Sequence, residues 1–280
     1  MIEIKNAVEF NEKLKAFRSS HKKVLTNCFM MPDEIGRLAA SGSIFISEYP
    51  DWLFVICDRK DYKNLYYYAT EEADPIFAGK LVADNGYNDL YIDIVTRSGR
   101  GDAHTPAKLI ECGLAENYKS YQRMQIPTKD IDLEKLSVSL HDGYRVSTDY
   151  CNTEELHSLW KCSLDEKSTP LPGKDELEAF CREGNLITVL DNNNELCAVV
   201  VLDVGAKNVL VQHLAVSPLH RRKGLANYIM SKALILACEK ELKTATLWVD
   251  RKNSSAIALY DRLGYTVDGM ICDQLYMKGN

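Results

Sequence analysis

Leu214-Ala215-Val216-Ser217-Pro218-Leu219-His220-Arg221-Arg222-Lys223-Gly224-Leu225-Ala226 is the stretch on which the reading of this chain turns. An apolar run stops at Ser217-Pro218, a short basic loop follows, and a long segment opens at Gly224 with Leu225, Ile229, Ala233 and Leu236 along one helical stripe. The pattern predicts a strand, a loop and a helix. The first amides of a helix have no internal partners and point outward, and the helix dipole favours an anion there. Gly224 and the small Ala226 leave room at that corner, and Arg221, Arg222 and Lys223 add positive charge to it. Three cations alone describe a solvated loop; with the strand, the proline and the glycine they describe a seat for a phosphate-bearing ligand. No Lys-Ser or Lys-Thr follows the glycine, and no dinucleotide fingerprint is present.

Outward from this stretch, alternating apolar runs and helical stripes continue in both directions. Tyr144 to Thr148 reads as a strand, a helix starts near Thr153, and Lys174 to Arg182 reads as a second helix ended by Gly184. Leu186 to Leu190, the turn Asp191-Asn192-Asn193-Asn194, and Leu196 to Val204 form a hairpin signal, followed by a strand at Val209 to Val216. After the helix from Gly224 to Glu241 come a strand at Thr244 to Val249, a helix at Ser254 to Leu263 closed by Gly264, and two tail strands, Thr266 to Met270 and Gln274 to Lys278. This order predicts an α/β fold: a mixed sheet with helices on both faces.

The first half repeats the pattern in degraded form. Ala107 to Gly113 ends a helix at glycine before a strand closing near Met124, as Ala258 to Gly264 does before the tail, and Leu90 to Val95 stands where Thr246 to Val249 stands. A helix ending in glycine before a strand is common, but the order of elements favours an internal duplication of domain size. The expected division is 1–126, a linker at 127–142 around Pro127-Thr128-Lys129-Asp130, and 143–280.

Composition sets the outer bounds. The chain has 280 residues, 46% hydrophobic and 26% charged, which suits two folded domains and excludes disorder. A net charge of −6 argues against a nucleic-acid partner and tilts towards a small cationic one. No apolar run reaches the ~18 residues that span a bilayer, and Met1 to Lys5 lacks a leader pattern, so no membrane association is expected. Nine scattered cysteines with no C-x-x-C pair suggest reduced thiols in a cytoplasm and no metal.

A second motif lies downstream: Asn253, then Ala256-Ile257-Ala258-Leu259-Tyr260-Asp261-Arg262-Leu263-Gly264-Tyr265. Together with Arg221, Gly224 and Ala226, which fit [Q/R]-x-x-G-x-[G/A], it makes the chain from about Tyr144 onward resemble the GCN5-related N-acetyltransferase (GNAT) family. The resemblance implies acetyl-coenzyme A as co-substrate and an amine as acceptor. It implies a coenzyme seat formed by Leu214, Ala215, Val216, Arg221, Arg222, Lys223, Gly224, Leu225, Ala226 and Asn253, with an oxyanion-binding amide near Leu214 to Val216. Asn253 also suits a helix N-cap. By the same resemblance Tyr260 is the general acid that protonates the departing thiolate.

The general base stays open between His213 and Asp250. Strand alternation sends neighbours to opposite sides, and a bulge would reverse the count. The first half lacks the phosphate signature, carries Asp74 where cations would be needed, and places Leu109 where Tyr260 stands. It is expected to be a catalytically degenerate copy. Tyr66-Tyr67-Tyr68 suits either an acceptor site or a packed strand. The implied activity is acetyl transfer to a primary amine of a small molecule by direct attack on the thioester, in a monomer with pseudo-dimeric domains or a homodimer. A non-catalytic acyl-coenzyme A binder or sensor is the alternative.

Overall fold

The computed structural model describes residues 1–59, 62–98, 100–136 and 138–277. They fall into two compact units, one comprising Met1–Ser120 with the chain from Met270 on, the other Tyr121–Gly269.

The first unit runs β1 (Ile2–Glu3), α1 (Ala7–Ser20), β2 (Leu25–Thr26), α2 (Pro32–Ala40), β3 (Ile44–Tyr49), β4 (Trp52–Asp58), β5 (Lys63–Ala69), α3 (Ile76–Asn85), β6 (Leu90–Arg97), α4 (His104–Glu111) and the start of β7 (Ala115–Pro127). Strand β4 is buried along both faces, which its unbroken apolar run dictates. Its Trp52, Phe54 and Ile56 pack towards α3 and α4, while Leu53, Val55 and Cys57 pack towards α1 and α2.

The second unit takes the end of β7 and continues through β8 (Tyr144–Ser147), α5 (Thr153–Lys161), α6 (Lys174–Arg182), β9 (Leu186–Asp191), β10 (Leu196–Val204), β11 (Asn208–Val216), α7 (Leu225–Glu239), β12 (Thr244–Asp250), α8 (Ser254–Arg262) and the start of β13 (Thr266–Met277). Its strand order is β7-β12-β11-β10-β9-β8. Alternate residues of β10 again serve two cores. Ala198, Val200 and Leu202 meet the cluster of α7 and α8, whereas Val199 and Val201 meet the cluster of α5 and α6. The β5-α3-β6-α4-β7 run of the first unit thus matches β11-α7-β12-α8-β13, and the fold is α/β in tandem.

The division departs from the expected 1–126, 127–142 and 143–280. Residues 121–127 pair with β12, from Asp250↔Tyr121 to Thr244↔Pro127, and so belong to the second unit. Met270 to Met277 pair with β6 and complete the first. The expected linker is not a free connector: Thr128 N–H donates to the Lys243 carbonyl at 3.0 Å, and Leu136 is buried in the α7–α8 core. The two expected tail strands are one strand, Thr266–Met277, because eight consecutive partners on β6 hold Cys272-Asp273 extended. Gly269, within β13, has φ +82°, a left-handed angle that glycine takes without strain. Lys278 lies outside the described residues. No helix among the described residues is long and apolar enough to cross a membrane.

Candidate active site

Strands β11 and β12 run parallel but pair only at their starts, from Asn208↔Thr244 to Leu210↔Thr246. Beyond Leu210, β11 has no β12 partner among the described residues, so two strands splay and expose a main-chain edge. The splay begins beside a bulge. Val199 pairs with Ala215 and Val201 with Gln212, so β11 carries one residue more than β10 over this interval. His213 and Leu214 together stand opposite Val200, with His213 at φ +54°. Its carbonyl is taken by the indole N–H of Trp160 at 2.7 Å. Trp160 is fully buried on α5, and this bond satisfies a group that the sheet ladder no longer pairs.

The bulge reverses the alternation that the strand would otherwise keep. Val209 and Val211 pack with the α7–α8 core, as do Leu214 and Val216, while Ala215 packs with the α5–α6 core. The His213 ring lies 5.3 Å from Trp160 on the α5 side, buried, with Nδ1 lacking a hydrogen-bond partner among the described residues. Burial, and secondarily the neighbouring His157, lowers its pKa to about 4. His213 is therefore neutral at physiological pH and a weak proton acceptor.

That depressed value makes stability depend on pH. Above about 6.5, the ordinary histidine value, both folded and unfolded chains hold the ring neutral, and the full stability is present. As pH falls towards 4, the unfolded chain takes a proton that the folded chain refuses, and roughly 3 kcal/mol is lost. His213→Asn, which tolerates the left-handed backbone, is expected to flatten the fall in denaturation midpoint between pH 6.5 and 4.5. Equal slopes for both proteins would refute the assignment.

After β11, Ser217 N–H bonds to the Cys197 carbonyl at 2.8 Å and the basic loop crosses to α7. Arg222 at φ +64° and Gly224 at φ +77° are both left-handed and fold the loop into a concave turn of the kind that gathers amides about an anion. The amides of Gly224, Leu225, Ala226 and Asn227 have no acceptor among the described residues. A Cβ on Gly224 would meet nothing within 4 Å. The left-handed angle by itself calls for glycine here, and the open space beside it leaves the clearance expected from the sequence available to a ligand. Arg221, Arg222 and Lys223 are exposed; Arg221 Nε donates to the Val216 carbonyl at 3.3 Å, and Lys223 Nζ to the Tyr144 hydroxyl at 3.1 Å.

On the other side of the splay, Asn253 caps α8, accepting from Ala256 N–H at 3.1 Å, so its Oδ1 serves the helix. Tyr260 is buried on α8 within the same cluster as Leu225, Val249, Leu214 and Val216. Its hydroxyl makes no hydrogen bond among the described residues, and burial pushes its pKa up to about 12, which keeps the proton in place. Asp250, half-buried at the end of β12, accepts from Lys252 N–H through Oδ1 at 2.8 Å. No hydrogen bond or ring contact joins any two of His213, Asp250 and Tyr260 among the described residues. Trp160, on α5, is not among the site residues that the sequence motifs point to, since an apolar helix residue carries no local sign of a distant carbonyl partner.

The first unit has the same splay, filled by its own chain. Strands β5 and β6 pair only at Lys63↔Leu90 and Asn64↔Tyr91. Asn27, buried, donates to the Leu65 and Asp93 carbonyls at 3.2 and 3.1 Å and accepts from Tyr67 N–H at 2.8 Å. Strand β2 lies along β5 at Thr26↔Tyr68. At the start of α3 the Asp74 carboxylate already accepts from Ile76 N–H at 2.9 Å, and Leu109 is buried on α4. Tyr67 and Tyr68 are packed strand residues.

Residues 153–265 match the family model described as the acetyltransferase (GNAT) family. Among solved structures, a tandem GNAT protein from the clavulanic acid biosynthesis pathway is similar at 12% identity and a TM-score of 0.59, over 85% of this chain and 84% of that one. A GCN5-related N-acetyltransferase from Kribbella flavida gives 14% identity and 0.57, over 85% and 91%. One from Sphaerobacter thermophilus gives 11% and 0.56, over 96% and 91%. At these identities the likeness is one of fold.

Proposed function

We propose, proceeding from the match of residues 153–265 to the acetyltransferase (GNAT) family model, that the second unit transfers the acetyl group of acetyl-coenzyme A to the primary amine of a small cationic molecule. The observation that carries this reading is the pairing of the β11–β12 splay with the four partnerless amides from Gly224 to Asn227. An open strand edge suits the amide-bearing arm of the coenzyme, and the amide turn suits its diphosphate, with Arg221, Arg222 and Lys223 at its rim.

In this reading the neutral amine attacks the thioester carbon. A C–N bond forms, the carbonyl electrons move to oxygen, and a main-chain N–H of Leu214 to Val216 stabilises that charge. Collapse breaks the C–S bond, and the departing thiolate takes the Tyr260 proton. His213 is a weak match for the base because its ring is buried and its pKa lies near 4. Asp250 keeps Oδ2 without a partner among the described residues and is the better placed of the two to pass the amine's proton to solvent. The filled splay of the first unit leaves that copy a supporting role and one coenzyme per chain.

Acetyl-coenzyme A at 100 times its dissociation constant is expected to stabilise the fold by about 2.7 kcal/mol, read as a rise in Tm. A panel of amines should then release free thiol with at least one polyamine, amino acid or aminoglycoside. Binding without thiol release from any amine would favour the non-catalytic reading.

A further inference from the structure

Sequence spacing shows no metal motif, because the residues concerned come from three separate segments. Asp191 ends β9, Cys197 is the second residue of β10, and His220 closes the short turn after β11. One carboxylate oxygen, the thiol sulfur and one imidazole nitrogen lie within 4.8 Å of one another. We propose that these three side chains form a zinc site that clips the β9–β10 hairpin to the basic loop.

The donor set is the first argument. Thiolate, imidazole and carboxylate together are a set that zinc accepts, and three protein ligands with one open position make a recognised coordination. Tetrahedral zinc holds its ligand atoms about 3.5 Å apart, so the three groups need close by little more than side-chain rotation allows. The backbone is already fixed for this. Asp191 Oδ1 accepts from Asn193 and Glu195 N–H at 2.8 and 3.0 Å, which orients the carboxylate and leaves Oδ2 to bind. Ser217 N–H holds the loop to the Cys197 carbonyl at 2.8 Å.

A second observation is independent of the cluster itself. His220 Nδ1 lies 2.9 Å from the Tyr144 hydroxyl, and Tyr144 in turn accepts from Lys223. A ligating imidazole needs such an outer hydrogen bond to fix its tautomer and ring orientation. With Nδ1 held by Tyr144, Nε2 is the nitrogen left for metal. Cys197 is fully buried, while Asp191 and His220 are half-buried, so an ion enters from their side. A thiol ligates as the thiolate, so its proton passes to solvent as the metal–sulfur bond forms and binding is accompanied by release of one proton.

The test uses the full chain, stripped with a chelator and titrated with Co(II), whose thiolate charge-transfer absorption reports sulfur ligation. One equivalent is expected to saturate the band, and Zn(II) should displace it. Cys197→Ser is expected to abolish the band, and His220→Asn, on a half-buried side chain that spares the core, to weaken Co(II) binding at least tenfold. Cys112→Ser, at an exposed thiol elsewhere, should leave both unchanged. Absence of saturable binding, or a band that survives in either Cys197→Ser or His220→Asn at full affinity, would overturn the proposal. The readout does not involve acetyl transfer, so failure of the proposed reaction would leave it standing.

Discussion

Tyr260→Phe is expected to lower kcat by about 10²- to 10⁴-fold while leaving the affinity for acetyl-coenzyme A unchanged. The substitution is unusually clean at this position. The hydroxyl has no hydrogen-bond partner among the described residues, so its removal leaves no group stranded, and the ring remains packed in the α7–α8 core. The melting temperature should stay within a few degrees. Steady-state thiol release and coenzyme titration on the same preparation separate the outcomes. Turnover within twofold of the parent protein would remove Tyr260 from the chemistry.

The second large effect is expected at Gly224. Valine there must adopt φ near +77°, which costs a β-branched residue about 1–3 kcal/mol, or else the turn relaxes and the amides of Gly224 to Asn227 turn away from a common centre. Because the Cβ position is open, the loss acts through backbone shape and not through a clash inside the protein. Gly224→Val is expected to weaken coenzyme binding about a hundredfold and so erase most of the ligand-induced rise in Tm. Gly224→Ala, with the same open space and less strain, should fall between. A full Tm rise in both variants would refute the diphosphate assignment at this corner.

Local patterns made much of this molecule legible in advance. Gly224, the stripe of α7, the Asn253 cap and the glycine stop after α8 are all read within one or two helical turns, where propensity and periodicity act directly. The repeat of β-α-β-α-β order was legible for the same reason. Hydrophobic alternation also placed β9 to β12 within a residue or so.

What the sequence could not carry was partnership over long separations. The exchange of β7 and β13 between units depends on which edges are left to pair, 121 with 250 and 277 with 90, and no local preference records that choice. The His213 bulge is held by a carbonyl that accepts from Trp160, 53 positions earlier, and the ring is buried beside that indole. Asn27 fills the first unit's splay from 38 residues before Leu65, and Asp191, Cys197 and His220 meet only once the hairpin and the loop are folded. The sequence by itself determined the elements and the left-handed, amide-bearing turn at Gly224, because those follow from neighbouring residues. Tertiary structure alone decided which splay is filled by its own chain, where His213 is buried and where the units divide, because burial and hydrogen-bond satisfaction are settled between residues that the chain holds far apart.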